Sequence, residues 1–327
     1  MLKILKTSPI FPLIFMVVCG ISGWALGFTR YFRVDTTADT LVAQWLMSYF
    51  QSLPHRITII ILTSLVILQG FYLNYIMNRN EVLYKNSWLP SVFYVLIMGL
   101  FARNFTFSIH IVVISLILIV LNNVFRLYKL NEAKSLNFDT GVLIGVIACL
   151  QPQAALLIVF YCTVMFILRA VVLRDILIAC LGFTLPYLTV ATTCFILDIP
   201  MSFDRITGFK AIGVSIPFVD YYHKVSIFTL VLLLFCLTIS LLKLSGNFYK
   251  NVIRTRNMQQ VLFILSIFGI AYIFAFPNEN SFRYTLFIVP LSALVSYYFV
   301  AARRWLIAEI LFTLIIGLMY FKLYKAS

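Results

Sequence analysis

Long apolar runs alternate with short polar segments along the whole chain. By length and apolarity, eleven of these runs are predicted to form membrane-spanning helices. They cover approximately residues 9–28, 57–77, 88–102, 107–125, 138–151, 153–169, 175–197, 225–244, 259–276, 283–302 and 305–322. Because the runs do not alternate polar and apolar residues with the two-residue period of a barrel strand, the pattern predicts helices.

A break between two neighbouring spans leaves their number open. Residues 138–151 and 153–169 are separated only by Gln151-Pro152-Gln153. A proline inside a helix removes a backbone hydrogen bond and clashes with the preceding turn. The pair is therefore either a tight helical hairpin or one helix broken at Pro152. The second alternative would lower the count by one and invert the orientation of every later span.

Composition agrees with a polytopic membrane protein. Of 327 residues, 62% are hydrophobic and only 11% are charged, a balance that excludes an ordinary soluble domain. We therefore expect an all-α transmembrane bundle that forms a single domain over residues 1–327, with outer loops at 29–56 and 198–224 and no soluble domain. Within the first loop, the segment around Trp45 is expected to form an interfacial helix.

The distribution of basic residues predicts the orientation. With a cytoplasmic N-terminus, 15 of the 25 Lys and Arg residues fall inside and ten fall outside, as the positive-inside rule requires. This favours a multi-pass protein of a bacterial inner (cytoplasmic) membrane. The formal net charge of +14 lies in short loops without a basic aromatic platform. We therefore expect membrane lipids as partners, and no nucleic acid.

Little in the sequence indicates metal or redox chemistry. The six cysteines fall inside predicted spans without a Cys-x-x-Cys pair, and the three histidines are scattered, so no metal site is predicted. The sequence has no P-loop and identifies no cofactor. Two small-residue pairs, Gly23 with Gly27 and Gly141 with Gly145, predict close packing between helices.

Charged residues on the predicted outer face form the candidate site. Basic residues on this side run against the positive-inside bias and so suggest a function. Arg binds phosphate oxygens bidentately and Lys adds a point charge, although ordinary snorkelling at the interface is the alternative. The carboxylates of this group are Asp35 and Asp39, and the candidate lipid-phosphate-binding residues are Arg30, Arg33, Arg103, Lys210, Lys224 and Arg283.

Three short segments resemble the GT-C superfamily of glycosyltransferases, polytopic enzymes that use polyprenyl-phosphate sugars. SFRYTLFIVPLSALVSYYF is similar to their late span, which an Arg-Tyr pair opens. DTGVLIGVIACLQPQAALLIVFYCTVMFILR is similar to their mid-chain glycine helix with its break and next span. Their first outer loop carries an acidic residue, a place that Asp35 occupies here, with Asp39 as the fallback. The chain has no Asp-x-Asp motif. As a whole it also resembles an uncharacterised family of polytopic inner-membrane proteins from Bacteroidota.

The GT-C resemblance implies transfer of a sugar from a polyprenyl-phosphate donor at the periplasmic face. Asp35 would act as base on the acceptor hydroxyl. Arg283, Arg103 and Arg33 would bind the leaving phosphate, with a hydrogen bond from Tyr284. Two alternatives stay open, namely a non-catalytic subunit or scaffold of a cell-envelope complex, which would have protein partners, and a lipid or solute transporter.

Overall fold

The structure, a computed structural model, consists almost entirely of helices. It describes residues 10–25, 33–34, 40–83, 85–101, 106–107, 109–128, 130, 133–168, 173–198, 224–275, 285–302 and 305–326. Within these ranges the only strands are one pair of two-residue segments, β1 (Arg33–Val34) and β2 (Thr106–Phe107). The predicted all-α bundle is therefore confirmed.

Twelve α-helices are described in these ranges. They are α1 (Ile10–Ala25), α2 (Leu41–Ser52), α3 (His55–Arg79), α4 (Leu89–Phe101), α5 (Ile109–Arg126), α6 (Lys134–Leu150), α7 (Leu157–Leu168), α8 (Leu173–Ile196), α9 (Lys224–Asn247), α10 (Ile253–Ala275), α11 (Thr285–Ala301) and α12 (Trp305–Ala326). Two short 3-10 helices, Pro152–Leu156 and Phe248–Lys250, precede α7 and follow α9.

A helix occupies each of the eleven segments that are predicted to span the membrane. By length and composition, five stretches are long and apolar enough to cross it. They are His55–Arg79, Ile109–Arg126, Leu173–Ile196, Val231–Lys250 and Ile253–Ile273. The protein is therefore membrane-embedded, while the number of spans, their orientation and the identity of the membrane stay predictions.

The predicted interfacial segment is helix α2, and it is amphipathic. Its buried residues are Ala43 and Met47, whereas Trp45 is 72% exposed and Tyr49 is 60% exposed. Thr40 caps its first turn, because its side-chain oxygen accepts a hydrogen bond from the Ala43 N–H over 3.3 Å. An exposed indole and phenol on one face are typical of a helix at a membrane surface.

The chain breaks at Pro152, as both alternatives for this region required. Helix α6 ends at Leu150, Gln151 is extended with φ −139° and ψ 98°, and Pro152 opens the following 3-10 helix. Proline suits the first position of a helix because its missing N–H would have no partner there. Helices α6 and α7 are therefore separate elements.

Internal contacts divide the chain into two compact units. Unit 1 comprises Met1–Arg33, His55–Thr106 and Ser215–Ser327, and unit 2 comprises Val34–Pro54 and Phe107–Val214. Unit 1 therefore contains α1, α3, α4 and α9 to α12, and unit 2 contains α2 and α5 to α8. The single transmembrane domain stays a prediction.

Helices α4 and α11 form the centre of unit 1. Residues Leu89–Leu100 of α4 and 286–299 of α11 are all buried, as expected for helices that are apolar on every side. Their aromatic rings meet, because the centroids of Phe93 and Phe299 lie 4.5 Å apart and Phe312 of α12 lies 5.7 Å from Phe93. Large side chains thus fill this core.

Helices α6 and α8 form the closest pair of unit 2. A Cβ atom at Gly141 would overlap the carbonyl oxygen of Ala179, and one at Gly182 would overlap that of Phe138. Gly145 likewise faces the Phe183 carbonyl oxygen. The packing role predicted for the Gly141 and Gly145 pair is confirmed, whereas Gly27 of the other pair lies outside the described residues.

Candidate functional site

Most of the predicted outer-site residues lie outside the part of the chain that the structure describes. These are Asp35, Asp39, Arg30, Arg103, Lys210, Arg283 and Tyr284. Of the other two, Arg33 lies in β1 and Lys224 is the first residue of α9, and the structure describes only their backbone. The outer site therefore stays a prediction.

A basic cleft opens in unit 1 where α9 and α11 end. Its volume is about 690 Å³. The lining residues are Lys85, Lys243, Gly246, Asn247, Lys250, Asn251, Tyr297, Val300, Ala301 and Ala302. Three separate parts of the sequence contribute, namely the α3–α4 loop, the end of α9 with the residues that follow, and the end of α11. We call this feature the basic cleft.

The end of α9 supplies the first wall. Lys243 and Asn247 lie four residues apart in α9, which places them on one helical face, and Lys250 ends the 3-10 helix that follows. Next to them, a Cβ atom at Gly246 would meet no heavy atom within 4 Å, so this side of the cleft is open. The Lys243 ammonium lies 5.4 Å from the centroid of the Tyr298 ring, a cation–π distance that helps to orient the side chain.

The end of α11 supplies the second wall. Tyr297 is buried, and its hydroxyl accepts a hydrogen bond from the Asn247 side-chain amide over 3.5 Å. Beyond it, Val300, Ala301 and Ala302 line the cleft with small apolar side chains. The cleft therefore has an apolar side next to its basic side.

The α3–α4 loop supplies the third wall, which carries Lys85. The ends of this loop are joined by Asn78 and Ser87. The Ser87 N–H donates to Asn78 Oδ1 over 3.3 Å, and Asn78 Nδ2 donates to the Ser87 carbonyl over 3.4 Å. Glu81, in the middle of the turn, has a φ of 51°, a conformation that costs energy for any residue other than glycine. The described residues of the loop, 80–83 and 85–88, thus have a defined, partly strained conformation.

Side chains of α10 bind the backbone of this loop. Gln259 Nε2 donates to the Val82 carbonyl oxygen over 3.0 Å, and Thr255 Oγ1 donates to that of Glu81 over 3.1 Å. Both donors are buried. Helix α10 therefore holds the backbone of the loop, although none of its own residues lines the cleft.

The chemistry of the basic cleft suits an anion. Among the residues that the structure describes, its lining contains three lysines, two asparagines and one tyrosine but no carboxylate. Cations grouped in a concave surface reinforce one another's potential and raise the local concentration of anions. Among the described residues, no group of three or more His, Cys, Asp or Glu side chains could hold a metal ion. Amines, amides and a phenol are therefore the groups that this cleft offers a ligand.

Sequence analysis missed this site for a definable reason. With a cytoplasmic N-terminus, Lys85, Lys243 and Lys250 lie on the inner side, where the positive-inside rule already accounts for basic residues. The candidate site was predicted on the outer face. The spacing of Lys243, Asn247 and Lys250 directly after an apolar span is a signal that predicts one wall. Nothing in the sequence pairs Lys85 with them.

Comparison with known proteins gives a family but no activity. A family model described as a family of unknown function, DUF6427, matches residues 40–327, and the chain belongs to that family. No curated protein and no solved structure matches it. The resemblance to an uncharacterised family thus agrees with the match, while these comparisons show no resemblance to the GT-C superfamily.

Proposed function

We propose that the protein is a multi-pass membrane protein that binds a phosphate-bearing lipid headgroup in the basic cleft. The observation that carries the proposal is the convergence of Lys85, Lys243 and Lys250 on one concave surface. An ammonium group binds phosphate as a point charge, and hydrogen bonds to charged groups are the stronger ones. The side-chain amides of Asn247 and Asn251 each donate one N–H to a protein acceptor, Tyr297 or Gln259, and each has a second N–H that can serve as a neutral donor on the same surface.

The apolar side of the cleft supports a lipid as the ligand. Val300, Ala301 and Ala302 lie next to the amines, and burial of the glycerol and first methylene groups of a lipid there would be favourable. A volume of about 690 Å³ lies within the range of roughly 300–1,000 Å³ that is usual for small-molecule sites. The ligand therefore combines a phosphate with an apolar part.

The predicted orientation supports the inner leaflet as the source of this lipid. All three lysines belong to the set that the positive-inside rule assigns to the cytoplasm. Anionic lipids give that surface a negative potential and attract basic segments. We propose a bacterial inner membrane, with a cytoplasmic N-terminus, as the location.

The test is a binding titration of the purified protein in neutral detergent. The probes are short-chain phosphatidic acid, phosphatidylcholine with the same chains, and inorganic phosphate. We expect saturable binding of phosphatidic acid, weaker binding of phosphatidylcholine and weak binding of phosphate alone. Each of Lys85→Gln, Lys243→Gln and Lys250→Gln should weaken phosphatidic acid binding about tenfold, because each removes one charge-assisted contact.

The matched control is Lys134→Gln, which removes an exposed lysine at the start of α6, outside the cleft. It should leave the affinity unchanged. Equal affinities for phosphatidic acid and inorganic phosphate would assign the cleft to a free anion. An unchanged affinity in the variant that lacks all three lysines would reject the cleft as the site.

A second proposal, glycosyl transfer from a polyprenyl-phosphate sugar at the periplasmic face, rests on the sequence segments alone. Its specific support is the Arg283-Tyr284 pair before α11, together with a carboxylate in the first outer loop. Asp35→Asn should lower the transfer rate roughly 10²- to 10⁴-fold if Asp35 is the base. The control is Asp198→Asn, which changes an exposed carboxylate after α8.

The same variants separate the other hypotheses. If neither Asp35→Asn nor Asp39→Asn changes transfer, catalysis at these residues is rejected. Stable co-purification of a cell-envelope protein would then favour a subunit or scaffold, and lipid flux in reconstituted vesicles would favour a transporter.

A further inference from the structure

We infer that Gln259 is a positioning residue that holds the Lys85 wall of the basic cleft in place. Phosphate affinity then depends on a side chain that does not line the cleft. This inference rests on the proposed function and adds to it the part of the molecule that fixes the geometry of the site.

Gln259 joins two walls of the cleft through one amide group. Its Nε2 donates to the Val82 carbonyl oxygen over 3.0 Å, and its Oε1 accepts from Asn251 Nδ2 over 3.2 Å. The side chain is 1% exposed. A buried amide whose donor and acceptor are both used in this way has a fixed orientation and resists rotation.

The two hydrogen-bond partners of Gln259 are close in the sequence to lysines of the cleft. Val82 precedes Lys85 by three residues in the α3–α4 loop, and Asn251 both lines the cleft and follows Lys250. Helix α10 carries Gln259 and contributes no residue to the lining. The amide of Gln259 therefore sets the distance between the wall that carries Lys85 and the wall that carries Lys250.

Neighbouring bonds along α10 support the same loop less directly. Thr255 Oγ1 donates to the Glu81 carbonyl oxygen over 3.1 Å, and Arg254 Nη2 donates to Asn80 Oδ1 over 3.4 Å. Each reaches only the loop, whereas Gln259 reaches the loop and Asn251 together. Its loss should therefore displace Lys85 further than the loss of Thr255.

The first experiment measures the loop without any ligand. Gln259→Met keeps a long side chain of similar volume but removes both hydrogen bonds. We expect the Lys85 amine to be acylated faster by a water-soluble activated ester, as measured by mass spectrometry. We also expect faster hydrogen exchange of the backbone amides of residues 80–87. The matched control is Gln260→Met, a change of the adjacent and partly exposed glutamine, which should leave both rates unchanged.

The second experiment measures phosphatidic acid binding by the same variants. Gln259→Met should weaken binding about tenfold, to the level of Lys85→Gln, because a displaced ammonium no longer contributes its contact. The losses caused by Gln259→Met and Lys85→Gln should not add in the double variant, since residues that act through one another are coupled. Gln260→Met should bind as the unaltered protein does.

These readouts distinguish failure of the inference from failure of the proposed function. If Lys85→Gln weakens binding but Gln259→Met does not, the positioning role of Gln259 is rejected, while the cleft is retained as the lipid-binding site. If none of the three lysine variants changes binding, the proposed function is rejected, and the ligand-free rates alone decide whether Gln259 holds the loop. Unchanged rates in Gln259→Met would then reject the inference.

A further variant covers the case in which Gln259→Met does not fold. Thr255→Val removes one hydroxyl with little change in shape and should produce smaller changes in the same direction, in acylation, exchange and binding. Wild-type values for all three in a well-folded Thr255→Val protein would count against control of the loop by α10.

Discussion

The two units of the molecule pack their helices in different ways. In unit 1, large aromatic side chains of α4, α11 and α12 fill the centre, with Phe93, Phe299 and Phe312 in mutual contact. In unit 2, the backbones of α6 and α8 approach closely, because Gly141 and Gly182 face carbonyl oxygens of the opposite helix. Helix packing therefore depends on large side chains in unit 1 and on residues without a side chain in unit 2.

This difference predicts how each unit tolerates substitution. Helices in a membrane associate through packing and hydrogen bonds rather than through the hydrophobic effect. The glycines of unit 1 mostly face the ends of flexible side chains, as Gly99 faces Met319, although Gly269 lies against the Phe287 backbone. A flexible side chain shifts at little cost, whereas a helix backbone shifts only if its packing is disturbed. Unit 1 should therefore be sensitive to lost volume and unit 2 to added volume.

The largest effect is expected from Phe299→Ala in unit 1. Phe299 is fully buried between Phe93 and Phe312. Truncation of a buried phenylalanine typically lowers the free energy of unfolding by about 3–5 kcal/mol. The measurement is unfolding of the purified protein in mixed detergent. Phe263→Ala, which truncates a phenylalanine of α10 that is 43% exposed, is the control and should have a small effect.

A smaller loss is expected from Gly182→Ala in unit 2. The added methyl group would overlap the Phe138 carbonyl oxygen and lie close to Gly141, so α6 and α8 must separate. Overpacking of this kind typically costs about 1–3 kcal/mol. Hydrogen exchange within α6 and α8 should rise, while that within α4 and α11 should not.

The control for the glycine variant is Gly317→Ala in α12, where an added Cβ atom would meet nothing within 4 Å. It should be neutral or slightly stabilising, because alanine favours helices more than glycine does. Equal stability of the Gly182→Ala and Gly317→Ala proteins would contradict the contrast between the two units.

Most of the fold follows from the sequence. The apolar runs predicted the helices, since a segment that is apolar on all sides must be buried in lipid or protein. Pro152 predicted the break between α6 and α7, and the Gly141 and Gly145 pair predicted a close helix contact. Residue 182 was not singled out, because a single glycine in a helix does not show which helix it faces.

The candidate site was less predictable. The walls of the basic cleft come from residues 85, 243–251 and 297–302, and their meeting depends on how α4, α9 and α11 pack. A sequence pattern reports the face on which a lysine lies, but it does not report the distant segment that this face meets. The role of Gln259 was equally hidden, since a glutamine within an apolar helix gives no sign of its partner.

The smallest loss of stability is expected from Tyr94→Phe and Tyr161→Phe, each of which removes one buried hydrogen bond, one in each unit. In unit 1 the Tyr94 hydroxyl donates to Gln69 Oε1 over 2.6 Å, and in unit 2 the Tyr161 hydroxyl donates to Asn137 Oδ1 over 3.0 Å. Hydrogen bonds between membrane helices are worth about 0.6 kcal/mol on average and about 1.7 kcal/mol at most. Tyr94→Phe and Tyr161→Phe should therefore lower the free energy of unfolding less than Phe299→Ala or Gly182→Ala does.

The loss of stability should nevertheless differ between the two hydrogen bonds. Asn137 is fully buried, and its Nδ2 has no hydrogen-bond partner, whereas Gln69 makes a further interaction. Tyr161→Phe would therefore leave the Asn137 side chain without either bond, and a buried polar group without a partner is costly. We expect Tyr161→Phe to lower the free energy of unfolding more than Tyr94→Phe, and Asn137→Leu to recover part of the loss in the Tyr161→Phe background. A larger loss for Tyr94→Phe would mean that bond length, rather than the number of partners left to the acceptor, decides the strength of these contacts.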